Sequence, residues 1–312
     1  MLSRTAENLF WMGRYLERTE HLARYINVQY FFSLDTPHPK QRDLALLSIA
    51  DMIGFELDDM RKNIQEEKVL VSAALSESNP VSILSAVFMA RENARAVRDS
   101  ISGELWEAMN NFYHFVSNYP VDIYKTRGLA DFTQNVFKNC STVRGKVQYT
   151  LLYDTSWLFI QLGIHLESAA QIVRILISKI NDINEISNLK LGNAILEQEW
   201  DVLLDSVEAK DMCNKYYTSL PNRENTLDFL LFNPFFPRSV INKLKQTMET
   251  LEKISPERLG TKDSISFKVA KISTPFFYLD VNEIDENLPE FLEDLLSKIY
   301  LISDMIANEY FN

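Results

Sequence analysis

"ENLFWMGRYLERTEHLARYINV" (Glu7–Val28) decides the architecture of the chain. Leu9, Met12, Leu16, Ala23 and Ile26 recur at helical spacing, so the stretch reads as one long helix with a single apolar stripe. Ser3 or Thr5 is placed to cap it, Glu7 suits its positively polarised first turn, and "SLDTPHPK" should stop it near Phe32. Glu7, Arg14, Glu17, Arg18 and His21 fall opposite the stripe, where a solvated face would ordinarily lie. Phe10, Trp11 and Tyr25 share that side, and exposing such rings forfeits roughly 1.5–3 kcal/mol of burial each. The helix is therefore expected to be covered on more than one side, with its charges in a crevice or a buried ionic network.

The rest of the composition agrees with helices. Of 312 residues, 46% are apolar, enough for a large core, while eight glycines and ten prolines are few for a turn-rich β architecture. The expectation is an all-α bundle. Lys and Arg number 32 against 43 Asp and Glu, a net charge of −11 that argues against a phosphate backbone as partner. Cys140 and Cys213 suggest neither a disulfide framework nor a metal knuckle, which fits a reducing cytoplasm. The N-terminus enters a helical pattern with no signal-type apolar run. No segment approaches the roughly 18 uncharged apolar residues of a membrane span, so no membrane partner is expected.

The first helix has a degenerate copy. An offset of 150 places Gly13 on Gly163, Leu16 on Leu166, Glu17 on Glu167 and Arg24 on Arg174. "NPVSIL" (Asn79–Leu84) is matched by "FPRSVI" (Phe236–Ile241) at an offset of 157, with the two signals in the same order in both halves. This pattern reads as an ancient tandem duplication, with pseudo-repeats over about 1–150 and 151–312 in one compact unit. Further helices are expected over 42–67, 82–102 and 104–117, with shorter ones to about 150. In the second half they fall over 155–186, 194–217, 239–254 and 288–308. "SISFKVAKI" (Ser264–Ile272) alternates Ile265, Phe267 and Val269 with small or charged residues, so a short extended segment is expected near 264–272.

A second charged face lies in the helix at 82–102, where Arg91, Arg95, Arg98 and Ser102 align. Stacked arginines repel one another and call for an anion, either Glu7, Glu17 or Glu20 from a neighbouring helix or a ligand carboxylate or phosphate. The chain lacks a zinc helix, a di-iron carboxylate set, a nucleophile elbow and a glycine-rich phosphate loop, and neither metal nor cofactor is expected. His21, His38, His114 and His165 show no ligand spacing. Glu17 with His21 one turn on is the one candidate acid/base pair.

The words "MLSRTAENLFWMGRYLER", "ARENARAVRDSISGELWEAMN" and "NPFFPRSV" resemble the bacterial alpha-E family, a helical domain of unknown function with a Glu-Arg motif, from Met1 to about Val240. Here the pair is Glu17-Arg18. The family's second copy of the motif is represented by "LGIHLESAA", which keeps Gly163 and Glu167 but carries Ile164 and Ser168 at the arginine positions. The resemblance implies a cytoplasmic helical protein encoded beside, or fused to, ATP-grasp proteins that would supply nucleotide and metal, and sometimes beside transglutaminase-like proteases. Two functions follow. One is an auxiliary or partner-binding subunit of an ATP-grasp-type amide ligase, in which the cluster of Arg14, Arg18, Arg91, Arg95 and Arg98, with Glu17 as counter-charge, is structural or binds an anionic small molecule or peptide. The alternative is an enzyme in its own right with Glu17 as general base. A Glu17 engaged by arginines in a closed interior favours the first, and a Glu17 open to a water-filled cleft favours the second.

Overall fold

The computed structural model describes residues 1–36, 38–55, 64–190, 192–218, 221–258, 261–284 and 287–312. Two long helices, α1 (Ser3–Asp35) and α7 (Thr155–Asn188), form its centre. Between them run α2 (Pro39–Met52), α3 (Glu66–Ala74), α4 (Ile83–Ala96), α5 (Gly103–Ser117) and α6 (Leu129–Thr150). After α7 come α8 (Asn193–Ser206), α9 (Lys210–Tyr217), α10 (Arg223–Leu231), α11 (Val240–Ile254), α12 (Ile265–Ser273) and α13 (Leu288–Tyr310). The fold is an all-α bundle, and no strand occurs among the described residues.

Packing around the two central helices is reciprocal. α1 carries α4, α2 and α6 on its flanks, α7 carries α11, α8 and α13, and α2 and α8 each also touch the opposite central helix. α1 and α7 cross at a pair of glycines. A Cβ on Gly13 would sit 2.4 Å from the Ile160 carbonyl oxygen, and one on Gly163 would sit 2.1 Å from that of Phe10. Those residues are partners at the 150-residue offset. The 157-residue offset also recurs in contacts: Ser82 Oγ accepts from Ser85 N (3.0 Å) and donates to Ser76 O (2.6 Å), while Ser239 Oγ accepts from Asn242 N (3.2 Å) and donates to Asn233 O (2.5 Å). Each serine caps the helix that lies on its half's central helix.

Several local expectations are corrected. Residues 264–272 are helical, with Ser264 Oγ accepting from Phe267 N (3.2 Å). Ile265, Val269 and Ser273 are buried one turn apart whereas Phe267 is exposed, so the apparent alternation was a helical stripe plus one surface ring. A lone strand there would also have left its amides unpaired. The first helix has Leu2 at its cap position, with no side-chain cap from Ser3 or Thr5. The helix expected over 42–67 ends at Met52, followed by Gly54 in the left-handed region (φ 77°), and residues 56–63 lie outside the described set. The helix expected over 194–217 breaks between α8 and α9, where Glu208 adopts φ 57°. That over 82–102 gives way after Ala96 to a tight turn at Arg98–Ser100. Before Thr150 the expected shorter helices are confined to Val121–Ile123 and Tyr124–Gly128, and the rest of the stretch is the 22-residue α6.

α7 is long and apolar enough to cross a membrane by length and composition, but 78% of its apolar window is buried inside the protein, as suits the central helix of a bundle. Cys140 and Cys213 are buried and free. Near the far end of the α1–α7 contact lies a polar network that periodicity did not reveal. Lys179, 1% exposed, pairs with Glu199 (2.5 Å) and Asp182 (3.1 Å). Ser48 donates to Asp182 (2.9 Å), and Tyr25 OH bonds Ser178 (2.9 Å) and Ser48. With two carboxylates on one ammonium, burial pushes the Asp182 carboxyl up to about 6, even though Lys179 pulls it down. Raising a folded-state pKa above the unfolded value lowers stability as pH climbs from about 4 to 6. Asp182→Asn should therefore gain on the wild type across that window, on the order of 3 kcal/mol by pH 7. Paired thermal melts at pH 4 and pH 7 check this, and an unchanged difference between the two proteins would refute it.

Candidate functional site

Glu167 and Glu17 stand at equivalent places on the two central helices, and their surroundings differ. Glu167 is sealed. Arg14 Nε donates to its Oε2 (2.6 Å), Arg18 Nε to its Oε1 (2.8 Å), and Gln171 Nε2 to Oε1 (2.8 Å). Arg14 also donates to Ser303 of α13 (2.7 Å) and lies over the Trp11 ring at 4.9 Å, while Arg18 lies over Tyr15. Burial alone would raise the Glu167 carboxyl, but the two guanidinium groups outweigh it and hold the pKa at about 2.

Glu17 lacks the equivalent arginines, because Ile164 and Ser168 occupy those positions on α7. His21, the counterpart of Gln171, donates to Glu17 Oε1 (3.2 Å). Charge compensation comes instead from Arg144 on α6, which bonds both Glu17 and Glu20. Glu20 further accepts from Arg238 (2.8 Å) and Arg24 (3.1 Å), and Glu208 pairs with Arg24 (3.0 Å) and Arg238 (2.9 Å). Burial pushes the Glu17 carboxyl up, yet Arg144 and the His21 hydrogen bond win and hold it well below the usual carboxylate range.

The missing arginines leave space. A half-open cleft of about 310 Å³ runs beside Glu17, walled by Arg144 and Gln148 of α6, Ile164 and His165 of α7, Arg238, and Lys243 of α11. Its charges do not cancel locally. Glu17, Glu20 and Glu208 are matched by Arg24, Arg144 and Arg238, whereas Lys243 has no acidic partner among the described residues and bonds only the neutral Gln246 (3.0 Å). Burial lowers the Lys243 ammonium to about 8, against the pull of Glu17. Burial likewise lowers His165 to about 3, so its ring is neutral, and its Nδ1 has no hydrogen-bond partner. Arg238 Nη1 is also unpartnered and buried.

The sequence-predicted residues are thus divided among three places. Arg14 and Arg18 close the Glu167 site rather than facing Glu17. Glu17 is 3% exposed, as the enclosure argument required, and touches the cleft. Arg91, Arg95 and Arg98 form no ion pair with Glu7, Glu17 or Glu20. Arg91 bonds Asn110 (2.8 Å) and Glu92 (2.7 Å), Arg95 pairs with Glu92 (2.5 Å), and Arg98 lies over the Trp106 ring at 4.9 Å. Their mutual repulsion is relieved by one local glutamate, aromatic faces and solvent. Glu7 is simply exposed. Arg144, Arg238, Lys243 and His165 were missed as site residues. For Arg238 the signal was its place in the repeated word "FPRSVI", and for Arg144 its seat beside the apolar stripe of Val136, Cys140, Val143 and Val147. Among the described residues no group of three or more His, Cys, Asp or Glu is gathered to hold a metal ion.

Three relatives share recognisable sequence with the chain over 267 residues. One is an uncharacterised protein of Mycobacterium bovis, 21% identical, and two are uncharacterised proteins of Mycobacterium tuberculosis strains, 21% and 20% identical. In each case the match takes in 80% of this chain but only 29% of the relative's length, so the relatives hold this region within a much longer polypeptide. No solved structure matches the chain. The model of the alpha-E family, described as a predicted alpha-helical domain with a conserved ER motif, matches residues 1–311, well beyond the Val240 limit of the resemblance read from motifs. The Glu-Arg pair that organises both carboxylate sites is Glu17-Arg18, and this chain belongs to the alpha-E family.

Proposed function

We propose that this protein is a cytoplasmic accessory module, built from a duplicated helical half, that binds an anionic group in the Glu17 cleft and serves an ATP-grasp-type ligase as partner. The observation that carries the anion site is Lys243: a half-buried ammonium without a carboxylate, lining a cleft beside an otherwise balanced set of arginines and glutamates. A half-buried cation gains a counter-charge when an anion enters, and Lys243 lines the cleft where it would do so. The partner rests on the family resemblance alone.

The rival enzymatic reading makes Glu17 a general base. Glu17 does touch the cleft, but its carboxylate is taken up by Arg144 and His21, and a carboxyl held so far below the usual range is a poor proton acceptor at neutral pH.

Lys243 sets the expected pH dependence. Glu17, Arg144, Arg238 and His165 face it, and burial brings its ammonium down to about 8 against the pull of Glu17. An anion binds the protonated lysine, so affinity for N-acetylglycine, a monocarboxylate of constant charge above pH 6, should be flat below pH 7. It should fall by up to about tenfold per pH unit above 8. Isothermal titration across pH 6.5–9.5 checks this, with Lys243→Met expected to bind weakly and without pH dependence. Equal binding by wild type and Lys243→Met would remove the anion site. Tagged co-purification with an ATP-grasp protein, where one is encoded alongside, tests the partner separately, and clean separation of the two at low salt would remove that part.

A further inference from the structure

The cleft does not open onto a uniformly polar surface. Its wall residue Gln148 is tied to the α6–α7 turn, where Gln148 Nε2 donates to Tyr153 OH (2.7 Å) and Tyr153 OH donates back to Gln148 O (2.9 Å). That turn displays Tyr149, Leu152 and Tyr153 at 85%, 80% and 63% exposure. Phe235 stands two residues before another wall residue, Pro237, and is 78% exposed. Leu152, Tyr153 and Phe235 are thus bare within five residues of Gln148 or Pro237, wall residues of the cleft that holds Lys243.

We propose that the cleft and its rim form one peptide-docking surface, which takes an acidic segment of a partner protein with one carboxylate on Lys243 and adjacent apolar side chains on Leu152, Tyr153 and Phe235. This rests on the reading of the cleft as an anion site and names its occupant. Charge complementarity supports it. The three arginines are matched by three glutamates, so the surplus is a single positive charge, suited to one carboxylate rather than to a polyphosphate. The lysine lies within a cleft, which an extended chain can enter with one side chain and a flat lipid surface cannot. An apolar contact flanking a charged one is also how a short segment gains affinity and register.

The test uses the full chain and a fluorescein-labelled hexapeptide carrying one glutamate between two leucines, read by fluorescence anisotropy. Controls replace the glutamate by glutamine or both leucines by serine. The wild type should bind the parent peptide at least fivefold more tightly than either control. Leu152→Ser and Phe235→Ser, both at exposed positions that leave the fold intact, should each weaken the parent peptide at least fivefold while leaving N-acetylglycine binding unchanged. Lys243→Met should lose both. If the rim variants bind the parent peptide as the wild type does, while N-acetylglycine binding persists, the docking surface is refuted and the anion site stands. If Lys243→Met retains both ligands, the anion site itself fails. Co-sedimentation with phosphatidylserine vesicles by the wild type but not by the rim variants, together with no peptide binding, would assign the rim to a membrane and overturn the proposal.

Discussion

Gly163→Ala is expected to destabilise the protein by about 3 kcal/mol or more, at or beyond the upper end of ordinary overpacking. The added methyl would lie 2.1 Å from the Phe10 carbonyl oxygen and 3.2 Å from the Arg14 amide nitrogen, both backbone atoms of α1 that have no rotamer with which to yield. Relief would require the two central helices to separate, and every flanking helix is seated on one of them. Gly13→Ala meets the reciprocal obstruction at Ile160 and should behave alike. Gly145, inside α6, supplies the contrast: nothing lies within 4 Å of the position its Cβ would take, so Gly145→Ala should stabilise by about 0.5–1 kcal/mol through backbone entropy alone. Chemical denaturation of the three variants checks the signs. A Gly163→Ala protein within about 0.5 kcal/mol of wild type would mean that the glycine crossing is not what sets the helix separation.

Removing the Glu167 carboxylate should cost about 3–5 kcal/mol, the usual penalty for stranding a buried partner. Arg14 is 4% exposed and would keep its charge with only Ser303 to receive it. Glu17→Ala should cost clearly less, a drop of several degrees in melting temperature. Its arginine, Arg144, is 28% exposed at the side chain and retains Glu20. The pH signature follows from the depressed pKa. The Glu167 contribution is complete above the unfolded carboxyl value near 4.5 and is lost as pH falls toward about 2, so Glu167→Gln should flatten the acid limb of the stability curve. Melting temperatures of Glu167→Ala and Glu17→Ala measured side by side decide the ranking, and equal losses would show that the open and sealed sites are energetically equivalent.

The ranking of the two carboxylates also shows how far the primary structure could be read. Helical spacing around Leu9, Met12 and Leu16, combined with rings on the charged side, was enough to place Glu17 in the interior, because both arguments are local to one helix. The same logic misjudged residues 264–272, where three alternate apolar residues fit two periods equally well over so short a run and only burial told Ile265 and Val269 from Phe267. It also grouped Arg91, Arg95 and Arg98 with α1's glutamates. A like-charge row announces that counter-charge is needed but not where it stands, and here Glu92 on the same helix and the Trp106 face meet the need.

What the chain by itself determined is the helical class, the repeated glycine and glutamate on the two long helices, and the enclosure of their charges, all properties of spacing along a single element. Only the tertiary structure decided that Glu167 is closed by Arg14 and Arg18 while Glu17 opens on a cleft lined by Arg144, Arg238 and Lys243. Those partners come from helices more than a hundred residues apart in the chain, and an ion pair depends on distance through space, which no periodicity along the backbone encodes.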